Sequence, residues 1–280
     1  MFQVLSLTTL LLICVVLRCH VRSDDFSHQV VGLRDPSGKA GRAHCSGVLA
    51  TKSHVITAAH CLYKVNKTEV HYGSKIWGST SMAAIKKVNI HPGYIPKRLA
   101  KSDIAVIELG SALGVDNISF KMEPWRNPRP GQPKCFLYGW TNDSLTKYPV
   151  DARHVVEMCT CLPRYEVART VCMYLSHGMK LKNCSVLSGG PIFCGENIVG
   201  IFHASYNPFT CKSVFYGSGD KACAASTECH LGMYLCPYIP WLSKIVPEGI
   251  PQLESCSATW ILPGAITTAM TLVSMLVCSM

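Results

Sequence analysis

Charged residues are scarce in this chain: they make up 16% of its 280 residues, while hydrophobic residues make up 48%. A disordered polymer would be rich in charge and poor in core-forming side chains, so this composition excludes one. Glycine is too rare for collagen, with only 21 residues. The sequence also has no block of Lys and Arg, so we expect no nucleic-acid partner despite the formal net charge of +10.

Cysteine, in contrast, is abundant, with 16 residues. Thiols in the cytosol stay reduced, and such a density of cysteine has no structural use there. Asn66, Asn117 and Asn142 each begin an N-x-[ST] triplet near turn residues, which predicts glycosylation acceptors. Both features predict a glycoprotein of the secretory pathway.

An apolar run without charge occupies residues 4–17 near the amino terminus. The small residues Val21 and Ser23 follow it at a spacing that suits signal peptidase. We therefore predict that residues 1–23 form a secretory signal and that residues 24–29 form a short extension before the folded domain.

A second apolar run covers residues 260–280, and no charged residue follows Glu254. A membrane-spanning helix usually ends in basic residues on its cytoplasmic side. Small residues at 255–257 lie just upstream, which is typical of a glycosylphosphatidylinositol (GPI) attachment signal. We predict a stem at 248–256 and a hydrophobic tail at 257–280 that is exchanged for a lipid, with a retained membrane helix as the alternative. Either form predicts a protein on the extracellular face of the plasma membrane.

Between these ends, short apolar stretches alternate with clusters of Gly, Pro, Asn or Ser. Many short strands without long intervening helices predict an antiparallel barrel or sandwich. The turn after Cys194 predicts a hairpin, and residues 240–246 predict a short helix. The predicted strands cover residues 54–59, 83–90, 103–109, 135–140, 191–194, 198–203 and 231–235.

Three motifs far apart in the sequence carry side chains suited to nucleophilic catalysis. They are TAAHC at residues 57–61, SDIAVIEL at 102–109 and LSGGP at 187–191. In this order and at this spacing they resemble the chymotrypsin/trypsin family of serine proteases. The segments CFLYGW at 135–140 and PW at 240–241 are similar to that family as well.

The resemblance implies an all-β domain at residues 30–247 made of two antiparallel six-stranded β-barrels and a short C-terminal helix. It also implies a protein or peptide as substrate or ligand, with no cofactor and no metal. The catalytic residues would be His60, Asp103 and Ser188. A serine hydroxyl becomes a good nucleophile when an imidazole removes its proton, and a buried carboxylate orients that imidazole and stabilises its charged form.

The sequence departs from the family next to the nucleophile. The backbone N–H groups of Val186 and Ser188 would form the oxyanion hole, but a β-branched side chain resists the backbone conformation that the family's Gly permits. Loss of one oxyanion donor typically costs about 10²–10³ in turnover. Leu187 replaces the Asp that pairs in the family with a new N-terminal amine after zymogen cleavage.

The segment from His28 to Gly32 resembles the start of the mature family chain. Gln29 then stands where Arg or Lys would be cut. On this interpretation the chain has lost both the cleavage signal and, at Leu187, the group that receives the new amine.

The substrate pocket is altered too. Lys182 is expected at the pocket base, where a trypsin-like enzyme has Asp, so the pocket would reject basic side chains and accept acidic ones. His203 and Ser205 are expected in the pocket wall. His203 takes the place of a Ser that supports the catalytic Asp, and Ala204 replaces a Trp that lines the pocket. Loss of substrate binding and a rebuilt specificity both remain open.

The resemblance implies disulfides Cys45–Cys61, Cys135–Cys194 and Cys184–Cys211, and a bond from Cys172 to Cys159 or Cys161. The cysteines left over could form two further bridges of undetermined pairing; they are the unused one of Cys159 and Cys161, with Cys223, Cys229 and Cys236. Their spacing does not suit a zinc site.

Two functions follow from these features. The first is a cell-surface protease homologue that keeps His60, Asp103 and Ser188 but is weak or inactive in proteolysis and acts by binding. The alternative is an active serine endopeptidase with noncanonical activation and altered, acidic specificity.

Overall fold

The computed structural model describes most of the predicted domain. The described residues are 25–36, 41, 43–63, 67–96, 101–122, 135–141, 143–153, 169–175, 187–206 and 229–251. The predicted signal, the hydrophobic tail and several predicted site residues lie outside them; these residues are Asn66, Asn142, Cys159, Cys161, Lys182, Cys184, Val186, Cys211 and Cys223.

The first half of the chain forms a seven-stranded antiparallel sheet in the order β5-β4-β1-β2-β3-β7-β6. Strands β5 and β6 lie at opposite edges of the sheet but are separated in sequence only by Ala84, so the sheet must curl until its edges approach each other. The strands are β1 (Val30–Arg34), β2 (Cys45–Thr51), β3 (His54–Thr57), β4 (Glu69–Tyr72), β5 (Ser81–Ala83), β6 (Ile85–Ile90) and β7 (Ala105–Leu109).

The second half forms a closed antiparallel barrel in the order β10-β13-β12-β11-β8-β9. The hairpin predicted after Cys194 joins β11 to β12, and Gly195 adopts the positive φ of 62° that this tight turn requires. The strands are β8 (Cys135–Thr141), β9 (Ser144–Arg153), β10 (Thr170–Leu175), β11 (Pro191–Cys194), β12 (Asn197–Tyr206) and β13 (Cys229–Tyr234).

The all-β prediction is confirmed, and the second half is a six-stranded barrel as expected. The first half is barrel-like as well, but its seven-stranded sheet is not closed by pairing between β5 and β6. Strand β5 has three residues and pairs only with β4, while β6 pairs only with β7. Lys86 and Lys87 on the open edge are exposed, and charged side chains of this kind protect a sheet edge from further pairing.

A short helix, α1 (Ile239–Ile245), confirms the predicted terminal helix. Pro240 stands in its first turn, where the missing N–H costs nothing, and Lys244 stands in its last turn, where a positive charge is favourable. Ile239 and Leu242 are buried. No helix in the described ranges combines the length and apolar character needed to cross a bilayer.

Apolar packing joins the two halves. One cluster of buried side chains includes Val48 and Ile56 from the first sheet, Ile201 and Leu231 from the second barrel, and Leu242 from α1. Burying such side chains stabilises the fold by about 1.5–3 kcal/mol each. The interface between the two sheets is therefore part of the hydrophobic core. This packing fixes the positions of residues from the two sheets relative to each other.

One interpretation of the sequence is wrong: the segment around Gln29 and Val30 is not a mature chain start. Strand β1 lies inside the first sheet between β2 and β4, with Val30 opposite Val48 and Gly32 opposite His71. The Gln29 side chain is buried, and its Oε1 accepts a hydrogen bond from the Ser119 N–H at 3.2 Å. The Val-Val pair is typical of an interior strand, so the identity of Gln29 says nothing about zymogen cleavage.

Candidate active site

The fold brings His60 and Asp103 together because their strands are neighbours. His60 lies in a 3₁₀ turn at Ala59–Cys61, just after β3, and Asp103 lies just before β7. Strands β3 and β7 are antiparallel, with Thr57 opposite Ala105, so the end of one strand meets the start of the other.

Asp103 holds His60 through two hydrogen bonds. The backbone N–H of His60 donates to Oδ1 of Asp103 at 2.8 Å, and its ring Nδ1 donates to Oδ2 at 2.5 Å. The Asp103 side chain is fully buried, whereas that of His60 is 29% exposed. The preceding Ser102 has a positive φ of 48°, a conformation that costs about 1–3 kcal/mol in a residue with a side chain.

The two groups shift each other's protonation. Burial alone would lower the pKa of His60, but the negative charge and hydrogen bond of Asp103 outweigh burial and raise it above its ordinary value. Burial alone would raise the pKa of Asp103, but His60 and His203 hold it well below its usual range. Asp103 is therefore a carboxylate at neutral pH, and His60 is suited to accept a proton.

His203 is the second imidazole on Asp103. It lies at a bulge in β12, where the pairing with β13 shifts between Phe202 and Ala204, and it is buried. Its Nδ1 donates to the same Oδ2 that His60 contacts. The two rings meet edge to face at 6.0 Å. The structure thus places His203, predicted in the pocket wall, against the Asp103 carboxylate.

Ser188 is near this pair but is not hydrogen-bonded to it. The residue lies in the turn before β11 and is fully buried, and its Oγ has no hydrogen-bond partner in the part of the chain that the structure describes. The Ser188 carbonyl accepts a hydrogen bond from Ser46 N–H at 2.7 Å, which fixes the turn against the first sheet. The Ser188 backbone is thus held in place, while its hydroxyl makes no hydrogen bond to His60 or to any other described residue.

Glycine and leucine complete this turn. Gly189 has a positive φ of 79°, and its N–H donates to the Phe202 carbonyl at 2.7 Å. Leu187 is fully buried in the apolar interior of the second barrel. It packs so closely on Gly139 that a Cβ there would lie 2.7 Å from Leu187 Cδ2. An apolar side chain in this place cannot receive an amine.

A serine–histidine contact that the sequence did not indicate lies on β12 and β13. Ser205 and His230 face each other in the register of the two strands, and Ser205 Oγ lies 2.6 Å from His230 Nδ1. Burial lowers the pKa of His230 to about 4, so it is neutral at neutral pH. Only the strand pairing brings these residues together, and no motif in the sequence marks His230.

Disulfides stabilise the surroundings of the site. The structure contains Cys45–Cys61, next to His60, and Cys135–Cys194, between β8 and β11. Cys172 is disulfide-bonded, and so is Cys236.

The predicted acceptor Asn117 is exposed and adopts a positive φ of 56°. Such a conformation is tolerated by Asn in turns, and it leaves the residue on a loop.

The residues best placed for a metal are His60, Asp103 and His203, whose ligand atoms lie within 4.8 Å of one another. Two hydrogen bonds already occupy the space between these atoms. A cation would have to displace both ring protons. Cys45 and Cys61 also lie near His60, but their sulfurs are joined in a disulfide and are not thiolate ligands.

Comparisons with known proteins agree with this geometry. The family model for trypsin matches residues 22–217. The chain is 30% identical to kallikrein-7 of Homo sapiens over 179 residues, which span 60% of this chain and 68% of that protein. It is 28% identical to a trypsin of Sarcophaga bullata over 183 residues, spanning 59% of this chain and 70% of that one.

Solved structures show the same fold. Neuropsin, a serine protease expressed in the limbic system of mouse brain, matches with a TM-score of 0.61 at 21% identity and covers 79% of this chain and 95% of its own. Kallikrein-related peptidase 10 in complex with Zn²⁺ matches with a TM-score of 0.57 at 22% identity over the same shares. The chain therefore belongs to the trypsin family of serine proteases.

Proposed function

We propose that this protein is a cell-surface member of the trypsin family that retains His60, Asp103 and Ser188, hydrolyses peptides weakly or not at all, and acts by binding a protein or peptide. The observation that carries the proposal is the Ser188 hydroxyl, which is buried and has no hydrogen-bond partner among the described residues.

Acyl transfer makes two demands on this hydroxyl. It must lie within about 3 Å of the base that takes its proton, and a substrate carbonyl must be able to reach it. Here His60 is oriented by Asp103, but no hydrogen bond links it to Ser188. Since Ser188 is also inaccessible to solvent, both demands require the turn at residues 187–189 to rearrange.

The neighbouring residues support the same conclusion. Leu187 occupies the barrel interior, where an acidic residue would be needed to receive an amine and order the oxyanion loop. Val186 stands where the family has Gly, and a donor lost there costs about 10²–10³ in turnover. These changes lower the expected rate of acyl transfer, while the chain retains the trypsin fold, which in this family binds polypeptides.

The alternative is an active endopeptidase with noncanonical activation. The complete His60–Asp103 pairing favours it, because the raised pKa of His60 suits a general base. Lys182 at the pocket base would then favour substrates with acidic side chains.

Labelling with a fluorophosphonate separates the two functions, because this reagent reacts only with a serine that a base has activated. The purified chain should label at a small fraction of the rate of a trypsin of known active-site content. The Ser188→Ala variant serves as the control for labelling elsewhere. Fast labelling of the wild type that disappears in Ser188→Ala would refute the proposed loss of activity and establish the alternative.

We also propose that the chain reaches the extracellular face of the plasma membrane through the signal at 1–23, carries glycans at Asn66, Asn117 and Asn142, and is held by a GPI anchor added upstream of residues 257–280. The apolar tail without charges after Glu254 supports the anchor. Phospholipase C specific for phosphatidylinositol should release the protein from intact cells. Retention on cells whose known GPI-anchored proteins are released would contradict the anchor.

A further inference from the structure

One oxygen of the Asp103 carboxylate accepts hydrogen bonds from two imidazoles. Its Oδ2 accepts hydrogen bonds from Nδ1 of His60 and from Nδ1 of His203, while Oδ1 accepts the His60 backbone N–H. A carboxylate only accepts, so each ring must carry its proton on Nδ1 in these contacts. Both rings therefore have the same tautomer, and a further proton can be added only at Nε2.

The three groups are removed from water. Asp103 and His203 are buried, and only His60 has an exposed edge. A charge on either imidazole would be stabilised by Asp103, but charges on both would repel each other in a poorly screened environment. One carboxylate can thus compensate one imidazolium well and two poorly.

We propose that His203 is a positioning residue that competes with His60 for the charge of Asp103 and thereby weakens His60 as a base. The inference rests on the proposed function, since it gives a physical reason for low turnover that is independent of the oxyanion loop. In a serine protease reaction the imidazolium of His60 must form as Ser188 attacks. When His203 takes part of the compensating charge, that imidazolium is less stable.

Other titratable groups on the surrounding elements have different partners. His44 contacts the Cys61 carbonyl, His91 meets Tyr238 and Trp241 edge to face, and His230 contacts Ser205. In the described ranges, Asp103 takes hydrogen bonds only from His60 and His203. Besides His203, the titratable residues on the strands that lead to or flank the site, β3, β7, β12 and β13, are His54, Glu108, Tyr206, Cys229, His230 and Tyr234.

The test is a pH titration of the imidazoles by nuclear magnetic resonance on the purified full chain with isotope-labelled histidine. In the wild type, the His60 signals should follow two coupled steps rather than one. His203→Leu removes the second hydrogen-bond donor to Asp103, so His60 should titrate in a single step with a proton affinity about tenfold higher, a shift of about one pH unit. His203→Asn keeps an N–H donor that cannot be protonated and should give a single step at an intermediate midpoint.

His230→Asn is the matched control, because it removes another buried histidine of the same barrel that does not touch Asp103. It should leave both steps of His60 unchanged. If His203 had only a structural role, His203→Leu and His203→Asn would not both shift the midpoint of the His60 titration in the same direction.

Three results would overturn the inference: a single simple step for His60 in the wild type, an unchanged or lower midpoint in His203→Leu, or two steps in His203→Asn. If His203→Leu does not fold, as judged by near-ultraviolet circular dichroism, the His60 titrations of the wild type and of His203→Asn are still sufficient to test the inference. The titration does not depend on hydrolysis. Fast fluorophosphonate labelling would thus refute the proposed function while leaving the shared carboxylate to be judged by the titration alone.

Discussion

The turn that carries Ser188 can be tested through Gly189, where only glycine fits. A Cβ on this residue would lie 2.2 Å from Thr57 Oγ1 and 2.3 Å from the Ser46 carbonyl oxygen. Both distances are far below the contact optimum of about 3.5 Å. The positive φ of 79° adds a separate penalty. Gly189→Ala should therefore lower the free energy of unfolding by about 2–5 kcal/mol. The backbone conformation contributes about 1–2 kcal/mol of this loss, and the clash of the new Cβ contributes about 1–3 kcal/mol.

Two other glycines separate these contributions. Gly73 has a positive φ of 83° but open space around a Cβ, so Gly73→Ala should cost only the backbone penalty of about 1–2 kcal/mol. A Cβ on Gly78 would also meet nothing and needs no unusual φ, so Gly78→Ala should stay within about 0.5 kcal/mol of the wild type. Urea unfolding followed by tryptophan fluorescence, with disulfides intact, measures all three. If Gly189→Ala lowers the free energy of unfolding no more than Gly73→Ala does, then the turn is not closely packed against Thr57 and Ser46.

Three further perturbations test the surroundings of the site. Replacing both Cys45 and Cys61 by Ala opens a loop of sequence separation 16 and should cost about 3 kcal/mol in urea unfolding; a loss below about 1 kcal/mol would contradict a structural role for the bond. Gln29→Ala leaves the Ser119 N–H without its acceptor and should cost about 1–3 kcal/mol, whereas His28→Ala at the exposed neighbouring position should be nearly neutral in the same assay. The pKa of about 4 for His230 lies below its unfolded value, so its contribution to stability is complete above about pH 6.5 and falls as the pH drops from there towards 4. His230→Gln should flatten the measured dependence of unfolding free energy on pH in that window, and an unchanged slope would show that the imidazole is not buried in its neutral form.

Much of the architecture could be predicted from local sequence. Short β-rich stretches between turn residues predicted the strands, and Pro240 at the start of an apolar segment predicted the terminal helix. The pairing order of the seven strands in the first sheet was not predicted, because it depends on contacts between segments that are distant in sequence. Strand periodicity identifies a strand but not its neighbour.

The segment at His28 to Gly32 shows how a short motif can mislead. Two valines and a glycine fit a mature chain start as well as an interior strand. Only the pairing of Val30 with Val48 and the burial of Gln29 distinguish the two. Leu187 is buried in the apolar interior of the second barrel, and its own side chain cannot accept a hydrogen bond from an amine.

The sequence by itself determined the family and the side chains that could react, because those residues lie in local motifs whose order and spacing survive in a single chain. It also determined the scarcity of charge and the abundance of cysteine that suit an exported fold. Tertiary structure alone decided that His203 shares the carboxylate of Asp103, that Ser205 meets His230, and that the buried Ser188 hydroxyl makes no hydrogen bond within the described residues. Hydrogen bonds and burial depend on atoms that are distant in sequence, so a motif can name a reacting group but cannot show what surrounds it.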